Sequence, residues 1–274
     1  MSAPWTAAES NLSFVPTPPR LAYRKAGNAD GPTIGLLHSL GTSGAIWHDT
    51  VSELAGTHPL LIPDLRGHGD SADCEVADVE EWAVDVERVL DHAGHGRTEP
   101  VVLVGVSLGG IQAIRFAATR PDRVSALVVA DSFAFLPPEV SAARIAAQTE
   151  QATHLPMAEV ADRYVAATFT DTSTPGAGIV RREMTRIHPK SYIAAVRTCF
   201  GADVRHLLGA VRAPTLVLWG DRDDKTPRAL SEEIAAGIRG SELRVVPDAG
   251  HLSPVDNPAA FAHAVADFVR KNTI

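Results

Sequence analysis

Short apolar runs alternate with longer segments of mixed polarity along most of the 274-residue chain. The run at residues 101–106 (VVLVGV) contains no polar side chain, which is typical of a strand buried on both faces of a parallel sheet. Similar runs predict strands at 33–37, 60–63, 124–130, 215–219 and 243–246, and helical patterns occupy 45–55, 77–92, 110–119, 228–239 and 258–271. This alternation predicts an α/β fold in which helices flank a mostly parallel sheet.

The interval 134–210 breaks this alternation, because it has helical composition and contains no strand-like run. A helical insertion between two strands of a parallel sheet is most simply a cap over the carboxyl edge of the strands, where such sheets bind ligands. The alternative is a packing domain with no role in the site. We predict a core made of 20–133 and 211–274, a helical cap at 134–210 inserted before the last two strands, and an N-terminal arm at 1–19 that is either wrapped on the surface or disordered.

Charge and composition narrow the class of partner. The formal net charge of -8 disfavours nucleic acid and anionic membranes, because both repel a negative surface, so a small-molecule partner is expected. The chain has no secretory signal pattern and no apolar stretch of about eighteen residues, so we expect a soluble, cytoplasmic protein. Cys74 and Cys199 fit neither a disulfide framework nor metal-ligand spacing, and we interpret both as reduced structural thiols. The sequence contains no pattern that indicates whether the chain is a monomer or an oligomer.

The apolar run at 101–106 ends in a serine surrounded by glycines. Ser107 is the centre of a Gly-x-Ser-x-Gly pattern at 105–109, the pattern of a nucleophile elbow in which a strand passes into a helix within about three residues. Gly105, Gly109 and Gly110 fit a strained serine, because a Cβ at these positions would collide with the neighbouring strand or helix. The pattern alone occurs by chance in roughly one of ten chains of this length, so its context decides.

A serine hydroxyl becomes an effective nucleophile when a histidine accepts its proton and a carboxylate holds that histidine. An acidic loop at 220–227 follows one predicted strand, and His251 lies in a glycine-histidine loop after the next. His251 is therefore the candidate base, and Asp223 is the preferred acid. The acids that spacing leaves open as alternatives are Asp221, Asp224 and, after the strand at 124–130, Asp131.

The reaction also requires hydrogen-bond donors for an oxyanion. The loop at 38–42 closes an early strand, and we expect the backbone N–H of Leu40 to point into the same cavity as that of Leu108, the residue after the nucleophile. His38 is interpreted as support for this loop rather than as an acid or base.

Five motifs, HSLGTSGAIW, PDLRGHGDS, GVSLGG, PTLVLWGDRDDKTP and AGHLSPVDNP, together resemble the α/β-hydrolase family, in order and across nearly the full length. Within that family the chain is most similar to 3-oxoadipate enol-lactonases and related lactonases and esterases. The resemblance implies a serine hydrolase of small esters or lactones, with an enol-lactone-type substrate favoured. It implies Ser107, Asp223 and His251 as the triad, and Leu40 and Leu108 as the oxyanion donors. This chemistry requires no metal and no organic cofactor.

Two features depart from the enol-lactonase pattern: the cap has no tryptophan, and the N-terminal arm is longer than usual. Cap arginines are candidates for binding a substrate carboxylate, although helical arginines commonly face water; they lie at positions 144, 163, 181, 182, 186 and 197. The same triad serves C–C bond hydrolysis and cofactor-free perhydrolysis, and a hydrolase scaffold can also act as a ligand receptor. These alternatives stay open, whereas Ser107 excludes an aspartate nucleophile.

Overall fold

The computed structural model describes residues 11–27, 29–71, 78–96 and 98–273. Its strands are β1 (Asn11–Val15), β2 (Leu21–Ala26), β3 (Ile34–Leu37), β4 (Leu60–Pro63), β5 (Val101–Val106), β6 (Val124–Ala130), β7 (Thr215–Gly220) and β8 (Glu242–Val246). They form one sheet in the order β1-β2-β4-β3-β5-β6-β7-β8. Strands β3 to β8 are parallel, and β1 and β2 are antiparallel to their neighbours. The predicted mostly parallel sheet is confirmed, and the six predicted strands match within one residue at each end.

The helices of the described residues lie between these strands and after β8. They are α1 (His48–Leu54), α2 (Val79–Ala93), α3 (Leu108–Thr119), α4 (Pro138–His154), α5 (Met157–Ala166), α6 (Pro175–Arg186), α7 (Pro189–Phe200), α8 (Arg205–Leu208), α9 (Arg228–Gly237), α10 (Ser253–Asp256) and α11 (Pro258–Asn272). The helix predicted at 45–55 is divided between a 3₁₀ turn, Gly44–Trp47, and α1. Helix α3 begins at Leu108, two residues earlier than predicted, because Ser107 is its N-cap residue.

Both faces of the sheet are covered, which explains the continuous apolar run of β5. Its side chains alternate between two hydrophobic clusters: Leu103 packs with residues of α2 and α3, whereas Val102 and Val104 pack with residues of α1 and α11. A strand buried on both faces has no position at which a polar side chain would be solvated. The apolar composition of 101–106 is therefore a consequence of its central place in the sheet.

The sheet extends further toward the amino terminus than the sequence analysis assigned. Residues 11–15, part of the predicted arm at 1–19, form the edge strand β1, which pairs with β2 from Asn11 opposite Lys25 to Val15 opposite Leu21. Val15 is buried in the core, whereas Leu12 is exposed. An edge strand with one solvated face is short and partly polar, so its pattern is weaker than that of a central strand. Residues 1–10 and Cys74 lie outside the described residues.

Five helices, α4 to α8, separate β6 from β7 and occupy the interval in which a helical insertion was predicted. Within this insertion α4 packs against α7 and α5 against α6. Because β3 and β5 to β8 are parallel, the loops that follow them meet at one edge of the sheet. The candidate residues at 38–42, 107, 131, 221–224 and 251 all follow these strands. Among the described residues, no helix combines the length and apolar character needed to cross a membrane.

Candidate active site

Ser107 occupies a strained turn between β5 and α3. Its backbone has φ 55° and ψ −115°, a conformation that residues other than glycine rarely adopt. A Cβ on Gly105 would lie 2.2 Å from the carbonyl oxygen of Gly109, and one on Gly109 would lie 2.2 Å from that of Leu37. A Cβ on Gly110 would lie 2.6 Å from the hydroxyl of Ser132. The prediction that these glycines permit close packing around the serine is confirmed.

The serine, the histidine and one aspartate form a continuous chain of hydrogen-bonding groups. The Ser107 hydroxyl oxygen lies 3.1 Å from Nε2 of His251, and Nδ1 of His251 lies 3.0 Å from Oδ2 of Asp223. An imidazole that donates its Nδ1–H to the carboxylate leaves Nε2 available to accept the hydroxyl proton. The three side chains belong to loops after β5, β8 and β7, and all three are almost completely buried.

Backbone contacts hold the two partner loops together. A Cβ on Gly220 would lie 2.5 Å from the carbonyl oxygens of both Ala249 and Gly250, so the end of β7 approaches the histidine loop without an intervening side chain. The amide of Arg222 donates to the carbonyl of Ala249 at 2.9 Å. This direct backbone packing fixes the separation of Asp223 and His251.

Hydrogen-bond donors stabilise the ionised form of the Asp223 carboxylate. Its Oδ1 accepts the amides of Lys225 and Thr226 at 2.8 and 2.9 Å, and its Oδ2 accepts the Thr226 hydroxyl as well as His251. Burial by itself would raise the pKa of Asp223, but the hydrogen bond and charge of His251 and the Thr226 donors outweigh it and lower the pKa. A carboxylate held in this way can stabilise an imidazolium.

The other candidate acids occupy different positions. Among the described contacts, neither Asp221 nor Asp224 has a hydrogen bond to His251; both are exposed, and Asp221 accepts the amide of Ala249 at 3.2 Å. Asp131 is fully buried, and its two carboxylate oxygens accept the amides of Gly220 at 2.8 Å and Ser253 at 3.0 Å. Burial and the nearby charge of Asp223 raise its pKa well above the ordinary value. Asp131 thus joins the end of β7 to the start of α10.

Two buried histidines support the loop at 38–42. Nε2 of His38 accepts the amide of Leu65 at 2.9 Å, and its Nδ1–H donates to the carbonyl of Ser39 at 2.8 Å. Nε2 of His68 accepts the amide of Gly41 at 3.1 Å. Burial lowers the pKa of His38 well below its usual range and that of His68 to about 4, so both rings are neutral. His38 therefore has a supporting geometry, as the sequence indicated.

The two candidate oxyanion donors lie in adjacent segments. Leu40 follows β3, Leu108 begins α3, and the start of α3 packs directly on the end of β3 through Gly109. Within the described contacts, neither amide donates a hydrogen bond to a protein acceptor. The N-terminal amides of a helix have no intrahelical acceptor, so such donors are available to an anion.

A cavity of about 320 Å³ opens beside the serine and the histidine. Such a volume is at the lower end for small-molecule sites. Its lining combines apolar side chains with several polar and charged ones: Ser39, Leu40, Ser107, Phe133, Arg144, Gln148, Tyr164, Cys199, Phe200, Asp224, Lys225, Thr226 and His251. The helical insertion between β6 and β7 therefore contributes to the wall of the cavity. Cys199 is a free, buried thiol whose pKa is raised by burial to about 12.

Comparison with known proteins assigns the class. The model of the alpha/beta hydrolase family matches residues 36–264, a span that includes the serine, the acidic loop and the histidine. The chain therefore belongs to the α/β-hydrolase family, as its motifs predicted.

The relatives include proteins named as ester hydrolases and as lactone hydrolases. A pimeloyl-[acyl-carrier protein] methyl ester esterase from Neisseria meningitidis is 30% identical over 244 residues, 85% of this chain and 75% of the relative. The 3-oxoadipate enol-lactonase 2 of Acinetobacter baylyi is 28% identical over 254 residues, 92% of this chain and 93% of the relative. The crystal structure of the enol-lactonase from Burkholderia xenovorans has a TM-score of 0.82 and 26% identity, and the match covers 92% of this chain and 96% of that chain. The chain is thus a hydrolase of the esterase and lactonase group.

Sequence reasoning missed several residues that complete the site. Thr226 contacts both Asp223 and, at 3.4 Å, Nδ1 of His251, and only its place in the acidic loop could have drawn attention to it. His68 lies in the PDLRGHGDS motif, but that pattern does not reveal the amide it accepts. The contacts of Thr226 with His251 and of His68 with Gly41 join residues 25 and 27 positions apart, so no local spacing predicts them.

Proposed function

We propose that this chain hydrolyses small carboxylic esters or lactones through an acyl-enzyme formed on Ser107, with an enol-lactone-type substrate favoured. The observation that carries the proposal is the Ser107–His251–Asp223 chain, with spacings of 3.1 and 3.0 Å. The relatives are named for methyl ester hydrolysis and enol-lactone hydrolysis, and both activities support the same carbonyl chemistry. Neither of these two substrate types demands a different arrangement of the three side chains.

In the acylation step, the Ser107 oxygen attacks the substrate carbonyl carbon while His251 Nε2 takes the hydroxyl proton. The carbonyl electron pair moves to oxygen, and the amides of Leu40 and Leu108 donate to the resulting oxyanion. Asp223 stabilises the imidazolium. Collapse of the intermediate expels the alcohol or enol oxygen, which receives the proton from His251; in a lactone this leaving group stays attached to the acyl chain.

In the deacylation step, His251 removes a proton from a water molecule that attacks the acyl carbonyl. A second oxyanion forms at the same donors, and its collapse breaks the bond to Ser107. The proton held by His251 returns to the serine oxygen, which releases the carboxylic acid and restores the starting state.

Turnover of the Ser107→Ala and His251→Ala variants on short methyl esters and small lactones tests this proposal. We expect each variant to lose turnover by several orders of magnitude while keeping its fold, measured by circular dichroism. Wild-type turnover by pure Ser107→Ala would rule out the serine mechanism.

The remaining alternatives give different results in the same assays. Stoichiometric labelling of Ser107 by a fluorophosphonate with negligible turnover of every ester and lactone would favour a ligand receptor. Faster cleavage of ring-fission dienoic acids, or faster peracid formation with hydrogen peroxide, would favour C–C hydrolysis or perhydrolysis over ester hydrolysis.

A further inference from the structure

Two cationic side chains line the cavity that contains Ser107 and His251. Arg144 comes from the cap helix α4, and Lys225 comes from the loop after β7. Both side chains are half-buried. Nη2 of Arg144 donates to the backbone carbonyl of Lys225 at 2.7 Å. Within the part of the chain that the structure describes, no carboxylate forms an ion pair with either cation.

Arg144 differs from the other cap arginines because it lines the cavity and forms no ion pair among the described residues. Arg197 is exposed on α7 and does not line the cavity. The remaining cap arginines have carboxylate partners: Arg163 with Glu159, Arg181 with Asp162, Arg182 with Glu183, Arg186 with Glu183 and Asp70, and Arg205 with Asp203. Of the cap arginines that form no ion pair among the described residues, Arg144 lines the candidate active site and Arg197 faces solvent.

The surroundings of Arg144 and Lys225 offset only part of the free-energy cost of burying their charges. The Arg144 guanidinium lies 5.6 Å from the ring centre of Phe200, and the Lys225 ammonium lies 5.0 Å from that of Tyr164. Aromatic faces attract cations, but less strongly than a buried carboxylate does. Burial lowers the pKa of both Arg144 and Lys225, so an added anion would stabilise their charged forms.

Two acidic groups lie nearby and do not neutralise this pair. Asp224 lines the cavity but is exposed and forms no ion pair among the described residues. Asp223 attracts both cations at longer range, yet its oxygens are already occupied by His251 and the Thr226 donors. The acidic and basic side chains that line the cavity, Arg144, Lys225 and Asp224, therefore carry one net positive charge.

A third donor continues the same helix face. Gln148 is one turn after Arg144 on α4, and both side chains line the cavity. The carbonyl oxygen of the Gln148 side chain accepts the Tyr192 hydroxyl at 2.7 Å, which leaves its amide group as a donor. The cap wall therefore presents donors, and no carboxylate, beside the reacting serine.

From this geometry we propose that Arg144 and Lys225 form a carboxylate subsite, so that the preferred substrate is a small ester or lactone bearing a second, free carboxylate. The proposal rests on the proposed role of Ser107 as the nucleophile. Arginine offers two parallel N–H groups to the two oxygens of a carboxylate, and lysine adds a point charge. Half-esters of short dicarboxylic acids and carboxylated lactones have this chemistry.

A matched pair of substrates measures the contribution of the free carboxylate. Monomethyl adipate is anionic, and methyl adipamate, in which a primary amide replaces the carboxylate, is neutral and nearly the same size. We expect kcat/KM for the anion to exceed that for the amide by roughly tenfold to a hundredfold, the range of a charge-assisted hydrogen bond. Methanol release follows both reactions.

Variants assign this preference to the two cations. Arg144→Gln and Lys225→Met should each reduce the anion-to-amide ratio of kcat/KM by roughly tenfold, and Arg144→Glu should invert it. Arg197→Gln, which removes an exposed cap arginine, should leave the ratio at the wild-type value. A wild-type ratio near one, or an undiminished ratio in Arg144→Glu, would overturn the subsite.

Binding provides a readout that does not depend on turnover. In calorimetric titrations of Ser107→Ala, adipate should bind, and adipamide should bind at least tenfold more weakly. In the double variant that also carries Arg144→Gln, the affinity for adipate should fall. Equal affinity for adipate and adipamide, or no binding of either, would overturn the subsite. Ser107-dependent turnover of neutral esters would persist in that case, whereas full activity of Ser107→Ala would overturn the proposed function instead.

Discussion

Asp221, Asp223 and Asp224 lie in one loop, and their spacing alone does not show which of them contacts His251. Hydrogen bonds distinguish Asp223 from the other two. Its Oδ1 accepts two backbone amides, and its Oδ2 lies 3.0 Å from Nδ1 of His251. These donors lower its pKa despite burial, so the carboxylate stays ionised where an imidazolium would form. Asp224, the next residue, is exposed and has no described contact with His251. A difference of one position in the loop therefore separates a buried acceptor from a solvated charge.

Replacing the carboxylate by an amide tests the role of Asp223. In Asp223→Asn the side chain can no longer stabilise the imidazolium or hold the correct histidine tautomer, and we expect kcat to fall by roughly 10⁴-fold. Asp224→Asn is the matched control; we expect a change below about fivefold, because an exposed charge contributes at most about 1 kcal/mol. Steady-state kinetics on one short methyl ester would measure both. The reverse order of effects would assign the acid to Asp224.

The elbow between β5 and α3 depends on glycine at positions where backbone segments touch. A Cβ on Gly105 would lie 2.2 Å from the carbonyl oxygen and 2.3 Å from the carbonyl carbon of Gly109. Backbone atoms cannot rotate away as a side chain can, so any larger residue would shift α3 relative to β5. This shift would displace Ser107 from His251.

Alanine substitution measures the importance of this close approach. We expect Gly105→Ala to lower the free energy of unfolding by about 2 kcal/mol or more, because the core must expand around the added methyl group. Gly178→Ala is the control: it lies exposed in α6 with no atom near the added Cβ, and should raise the free energy of unfolding by up to about 1 kcal/mol. Urea unfolding gives both values. Equal stability of Gly105→Ala and wild type would contradict the packing argument.

The stability of the whole molecule should depend on keeping His68 neutral. His68 is fully buried, and its Nε2 accepts the amide of Gly41, which ties the loop after β4 to the loop after β3. Burial lowers its pKa from 6.5 to about 4 in the folded chain. Protonation of His68 would place a positive charge in a buried site without solvent. It would also remove the lone pair that accepts the Gly41 amide. The folded state therefore excludes a proton that the unfolded chain binds.

Between about pH 6.5 and about pH 4 the unfolded chain binds this proton and the folded chain does not, so the free energy of unfolding should fall as the pH falls, by up to roughly 3 kcal/mol. Asp131 and Asp64, whose pKa values burial raises, act in the opposite direction. The comparison with His68→Gln isolates the histidine: urea unfolding of this variant should depend less on pH. His154→Gln, at an exposed position, should keep the wild-type slope, and an equally steep His68→Gln would refute the assignment.

Much of the fold is encoded locally. Strands β3 to β7 are apolar over nearly their whole length because both sheet faces are covered there, so their positions can be read from hydrophobic pattern alone. Edge strand β1 lacks this double burial and was assigned to an arm. The elbow at Ser107 and the post-strand position of His251 are also local features. Chain order then predicts that both lie at the carboxyl edge of the sheet.

The sequence by itself determined the α/β architecture, the hydrolase family and the loops that carry Ser107, Asp223 and His251, because strand burial and tight turns leave a residue-by-residue pattern. Only the tertiary structure decided which groups meet in the cavity. It separated Asp223 from Asp224 and Asp131, and it placed Arg144 beside Lys225 while the other cap arginines pair with carboxylates or face solvent. These contacts join segments up to 144 residues apart, and their distances follow from packing rather than from spacing along the chain.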